Sequence, residues 1–167
     1  MFERLNTPSE LFNLQLGAAL TMERDIVEML DELISEAPEE SIKEALRAHQ
    51  QETRAHVSNV EEAFKALGWE VDDSPCPAIK GIEKEGKANI KKADEALVGS
   101  VILEGAMETE HHEIGVYENL IIHARALGHE QVARLLEQNL QQEEQALQNV
   151  KHLAQSLATA HTGMPVG

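Results

Sequence analysis

Glu23, Glu110 and Glu143 occupy positions where a glutamate side chain has nowhere wet to go. On a helix, the residues three, four and seven places away share a face with the central one. For Glu23 those six are Leu16, Ala19, Leu20, Ile26, Val27 and Leu30. Glu110 sits among Leu103, Ala106, Met107, Glu113, Ile114 and Tyr117, and Glu143 among Leu136, Asn139, Leu140, Ala146, Leu147 and Val150. Glu28 supplies the contrast, with Thr21, Arg24, Asp25, Asp31, Glu32 and Ser35 around it, an ordinary solvated face. A fourth segment, HQQETRAH at 49–56, places His49, Glu52 and His56 within two turns between Leu46 and Val60. An ionised carboxylate in a low-dielectric core is costly, and several together repel one another until they hold protons or meet cations. Divalent metal ions resolve the conflict. Hard oxygen donors with one or two imidazoles suit iron or manganese better than zinc, and bridging carboxylates can hold two such ions side by side.

The elements that must carry these residues read as four long helices and one short one. Thr7-Pro8-Ser9-Glu10 starts the first, and Ala37-Pro38 stops it, because proline disfavours helical geometry in the residue before it; the expected span is 9–35. The second runs over 39–67, from Pro38 with Glu39 and Glu40 complementing its dipole, to Gly68. Residues 69–77, WEVDDSPCP, interrupt the periodicity, and AIKGIEKEGKANIKK reads as a short helix within a crossover. The third long helix covers 94–127, with an apolar face through Leu97, Val101, Leu103, Met107, Ile114, Tyr117 and Ile121, and ends at Gly128. The fourth covers 130–158, leaving 159–167 as a flexible tail behind a single domain of 1–158. Two helical hairpins joined by a long crossover define an all-α four-helix bundle.

Depth along the bundle is a separate check, since antiparallel partners at one level lie equally far from the turn that joins them. Glu23 and Glu52 are centred on residue 37.5, at the Ala37-Pro38 turn. Glu113 and Glu143 are centred on Gly128, and Glu110 and Glu143 at 126.5, so both glutamates of the third helix remain candidates. Tyr117, one turn beyond Glu113, either packs as core or reaches a ligand carboxylate with its hydroxyl. His111, His112 and His123 read as surface or locally satisfied residues.

Composition narrows the partners. A formal charge of −16 without a basic stripe repels a phosphate backbone, which excludes nucleic acid. Cys76 is the only cysteine, so no internal disulfide forms; it reads as structural, and a reducing, cytoplasmic setting fits. No run approaches the roughly 18 to 20 apolar residues that span a bilayer, and the first residues carry no secretory signal.

The segments TMERD at 21–25, HQQETRAH at 49–56, SPCPAIKGIEKEG at 74–86, ETEHHEIGVYE at 108–118 and LQQEEQAL at 140–147 together resemble the ferritin-like superfamily, and within it the YciE/YciF-like family of bacterial stress-associated proteins. The resemblance covers nearly the whole chain. It implies a ferritin-like bundle with a di-iron site, with metal contacts from Glu23, Glu52, Glu110 and Glu143, further ligands in Glu113 and His56, and His49 beside them. It also implies a homodimer. The wider ferritin and rubrerythrin pattern has a histidine three residues after the helix glutamate, where this chain has Ala55 and Ala146; His56 comes four residues on. Two functions compete. In one, two metal ions, iron or else manganese, react with oxygen or peroxide as a ferroxidase- or peroxidase-like centre in stress response. In the other, a stress-associated structural or interaction bundle uses the metal only as a staple.

Overall fold

The structure is a computed structural model in which residues 4–162 are described, the side chain of His161 excepted. Helix α1, Pro8–Glu36, opens on a capping box: Thr7 Oγ1 accepts from the Glu10 amide at 3.1 Å, and Glu10 Oε2 accepts from the Thr7 amide at 3.1 Å. It ends at Ala37, whose extended backbone is the one Pro38 imposes. Helix α2, Glu40–Leu67, closes on Gly68 with φ 69°, where the Trp69 amide reaches back to the Phe64 carbonyl.

The crossover then lies against α1. Asp72 accepts from Asn13 Nδ2 and from the amide and hydroxyl of Ser74, and a Cβ on Gly17 would stand 2.6 Å from its Oδ1. Gly17 is what lets the strap approach. Helix α3, Pro77–Ile90, packs on α4 and α1, and a single 3-10 turn, Glu95–Leu97, leads into α4, Val98–Ala126. Gly128, with φ 79°, turns the chain into α5, Glu130–His161. Helix α5 is therefore longer than expected, running through residues assigned to the tail; the rest of that tail, from residue 163, lies outside the described residues.

Hairpins α1–α2 and α4–α5 pack together through α2 against α5 and α1 against α4. One core runs the length of the bundle, from Phe12, Leu16 and Phe64 at one end to Met29, Leu30 and Ile42 at the other. The buried stripe of α4 passes through Ile102, Ala106, Glu110, Glu113, Tyr117 and Leu120. Of the apolar face expected there, Leu103, Tyr117 and Ile121 are buried, whereas Val101, Met107 and Ile114 flank the stripe and Leu97 is 47% exposed, so the buried face is rotated in part from the expected one. Apolar residues on both sides of α4, including exposed Ile122, blur the stripe in the sequence. No helix among the described residues is long and apolar enough to cross a membrane.

Candidate metal centre

The core is interrupted midway by ionisable groups from every long helix. Glu23 of α1, His56 of α2, Glu113 of α4 and Glu143 of α5 have no exposed surface, and Glu110 and His49 are almost fully covered. They form two groups whose ligand atoms lie within 4.8 Å of one another: His49, Glu110, Glu113 and Glu143, and then Glu23, His56 and Glu143. Glu143 belongs to both.

His56 Nδ1 is 2.7 Å from Glu143 Oε1 and 3.6 Å from Glu23 Oε2, though without the alignment of a hydrogen bond. Its other nitrogen, Nε2, lies 2.8 Å from Gln142 Oε1. With that oxygen accepting, Nε2 keeps a proton, and Nδ1 is the nitrogen that faces the carboxylates and would give up its proton to a metal ion. His49 Nε2 lies 3.2 Å from Glu110 Oε1 and 3.9 Å from Glu143 Oε2.

Electrostatics separates the carboxyls. Burial raises Glu23, opposed by His56; it raises Glu110 to about 8 against the pull of His49; and it raises Glu113, with Glu143, Glu23 and Glu110 adding to the effect. Burial acts the same way on Glu143, but His56 and His49 beside it outweigh that and hold it below the usual carboxylate range. Burial would lower both imidazoles, yet the surrounding carboxylates bring His49 up to about 9 and His56 to about 10. In the metal-free protein, then, protons and imidazolium rings provide the positive charge.

The donor set fits divalent metal. All but one of the buried side-chain polar atoms lacking a hydrogen-bond partner, among the described residues, belong to these six: Glu23 Oε2, both nitrogens of His49, His56 Nδ1, Glu110 Oε2, and both oxygens of Glu113 and of Glu143. No Lys or Arg among the described residues pairs with them. Native cores rarely leave polar atoms orphaned in such numbers without a ligand to receive them. Two divalent cations would match the charge of the four carboxylates while taking up these lone pairs.

Glu52 is the departure. Its side chain is 44% exposed, its Oε2 is 3.8 Å from His49 Nδ1, and it joins neither group; Thr53 is buried in its place and donates to the His49 carbonyl. Residue 52 is three places from His49 and four from His56, while 53 is four and three, so spacing to the histidines cannot separate them. The neighbours can: those of Glu52 are three alanines, two histidines and Asn59, whereas Thr53 has Leu46, Val57 and Val60 on its face.

The supporting residues were largely unforeseen. Tyr117 donates a hydrogen bond to Glu23 Oε1 and accepts one from Asn139 Nδ2 at 2.9 Å. Asn139 in turn accepts from Asn59 Nδ2 at 2.7 Å. Asn139 lies one turn before Glu143 on the same apolar face, and a buried amide there was the available signal.

A four-helix bundle with this crossover, carrying glutamates and histidines inward from all four helices, defines the ferritin-like class. Residues 7–162 match a family described as a domain of unknown function, DUF892, and the chain belongs to that family. Protein YciF of Escherichia coli strain K12 is 23% identical over 141 residues, covering 83% of this chain and 85% of its own. Among solved structures, YcfI of Rhodopseudomonas palustris superposes with a TM-score of 0.87 at 30% identity, covering 90% of this chain and 98% of that one. The E. coli stress protein YciF gives 0.88 at 22% identity over 93% and 99%, and a Xanthomonas campestris pv. campestris protein gives 0.74 at 20% over 93% and 96%.

Proposed function

We propose that Glu23, His49, His56, Glu110, Glu113 and Glu143 hold two divalent metal ions, iron in preference to manganese, and that the loaded protein carries an oxygen- or peroxide-linked redox reaction in stress response. The observation that carries this reading is the sharing of Glu143 by two ligand groups, one with His49, Glu110 and Glu113 and the other with Glu23 and His56. A carboxylate common to both would be within reach of either ion. When bound, a pair of ferrous ions supplies two electrons to a small oxidant at one place.

The residues of the chain do the rest. Gln142 fixes the tautomer of His56, and Tyr117 and Asn139 hold Glu23 in place. The leucines, isoleucines and alanines around the centre exclude bulk water, which strengthens every charge interaction inside it. A cytoplasmic location and a homodimer belong to the same reading; the free thiol of Cys76 supports the former.

A second reading makes the metal a structural staple. It is favoured by the Rhodopseudomonas relative, described only as a candidate structural protein, and by the depth of the centre in the core. Metal analysis and one spectrum separate the two. Ferrous-loaded protein is mixed with oxygen or peroxide, and an absorbance change from oxidised iron is expected. No change, together with a lower melting temperature after metal removal, leaves only the staple.

A further inference from the structure

A cavity of about 110 Å³ lies between the metal centre and the end of the bundle where α1 turns into α2. Its walls come from all four long helices and are mostly apolar, with Ile26, Leu46, Leu103 and Val150 among them. Thr109 also lines it, with its hydroxyl donating to the Gly105 carbonyl, and the other polar groups stand at two places. His49 and Glu110 are at the inner end, both buried, with the nitrogens of His49 and Glu110 Oε2 lacking hydrogen-bond partners. Glu52 and Asn149 are at the outer end, beside Ala45 and Ala48, which are partly or fully exposed.

The mouth exists because of side-chain size. Ala45 and Ala48 of α2 and Ala146 and Asn149 of α5 line this side of the cavity, Ala48 and Asn149 being exposed, and alanines fill a helix seam less than leucines would. Glu23, Glu113 and Glu143 do not reach the cavity, and His56 is covered by Gln142. Of the six residues, His49 and Glu110 are the ones that line this cavity.

We propose that this cavity admits and holds a small, uncharged, apolar molecule, of which dioxygen is the member relevant to redox chemistry, and that the opening between α2 and α5 is its route. The inference rests on the redox reading for its purpose, but not for its physics. An apolar cavity of about 150 Å³ takes up benzene or xenon, and the apolar stretch of this one between its two polar ends offers xenon- and dioxygen-sized species the same kind of contact. Charged solutes face an apolar throat behind the carboxylate of Glu52, and stripping a charge of water is costly. Hydrogen peroxide, which must leave its hydrogen bonds behind, partitions into such a space far less readily than dioxygen.

The test uses xenon on the full-length, metal-free chain, followed by nuclear magnetic resonance of backbone amides. Saturable shifts at Leu46, Leu103 and Val150 are expected. Ala45→Leu, a substitution at the partly exposed mouth away from the ligands, should weaken xenon binding at least tenfold with an unchanged circular dichroism spectrum. On the ferrous-loaded protein the same variant should slow oxidation by dioxygen about tenfold while the metal count per chain stays at the wild-type value. Absence of xenon shifts in the wild type, or xenon binding and dioxygen rate both unmoved by Ala45→Leu, overturns the proposal. A chain that binds xenon but takes up no metal defeats the redox reading and leaves the cavity assignment standing.

Discussion

Replacing Glu113 with methionine sets the cost of the centre against its use. Glu113 is fully buried, neither oxygen has a hydrogen-bond partner, and its neighbours Glu143, Glu23 and Glu110 push its proton affinity upward with the burial. As a neutral acid it still leaves polar atoms unpaired, at about 1–3 kcal/mol. Methionine is of similar volume and carries no atom that needs such a partner, so the exchange recovers a cost of that order. Taking about 2 kcal/mol, and about 2–4 °C per kcal/mol for a domain of this size, the metal-free Glu113→Met protein should melt about 4–8 °C above the wild type. A thermal melt by circular dichroism in chelator at neutral pH measures this.

The metal titration of the same variant should move the other way: the group formed by His49, Glu110, Glu113 and Glu143 loses a ligand, and the variant should bind one ion tightly against the two expected of the wild type. Glu118→Met, at an exposed position on the same helix, should change the melt by no more than about 0.5 kcal/mol. A metal-free Glu113→Met protein that melts below the wild type would show Glu113 to be an integral, compensated part of the core, and the argument from orphaned carboxylates would fail.

Other substitutions and conditions probe the surroundings of the centre. Tyr117→Phe removes the donor to Glu23 and one hydrogen bond of Asn139, which keeps those with Asn59 and the His56 carbonyl, so metal-free stability should fall by about 1–3 kcal/mol in a denaturant titration with the metal count unchanged. Gln142→Leu releases His56 Nε2, and competitive titration against a chelator should show metal affinity lowered by about 10–100-fold. For the metal-free protein, Glu110 keeps its proton in the fold up to about 8 against 4.5 unfolded, so stability should decline between those values. His49 and His56, raised to about 9 and about 10 from 6.5, add stability that is full below 6.5 and gone once pH has passed those higher values, so the decline continues to about pH 10. Glu143, held low, acts oppositely and loses its contribution as pH falls below 4.5, which puts the maximum near pH 5. Melts across pH 4–10 read the whole curve, and added metal should reverse its neutral-range slope because ligation needs the deprotonated carboxylates.

How far the sequence disclosed this arrangement depended on the contrast between a residue and its helix face. Glu23, Glu110 and Glu143 stood out because their neighbours three, four and seven places away are mostly apolar, and the structure buries all three. Helix ends at Thr7, Pro38, Gly68 and Gly128 were legible because each rests on a local backbone constraint. Glu52 was misplaced because α2 has alanines beside its seam, which lets two adjacent residues satisfy the same spacing to His49 and His56. The rotated stripe of α4 has the same origin, since a helix flanked by apolar residues on both sides gives periodicity little to choose between.

That weakness of pattern also has a physical consequence at the centre. The small residues that hid the α2 face from sequence reading, Ala45 and Ala48, are those that leave the cavity mouth open beside Glu52. At the opposite side, Tyr117, Asn139, Asn59 and Gln142 close the group of Glu23 and His56 with hydrogen bonds that link all four long helices. The two ligand groups therefore differ in access although they share Glu143. If both hold metal, a chelator in solution should remove the ions in two kinetic phases, the ion at His49 and Glu110 leaving first. Ala45→Leu should slow only that first phase. A single phase, or equal slowing of both, would mean that the ions leave through a common opening of the bundle and that the asymmetry of the walls does not govern exchange.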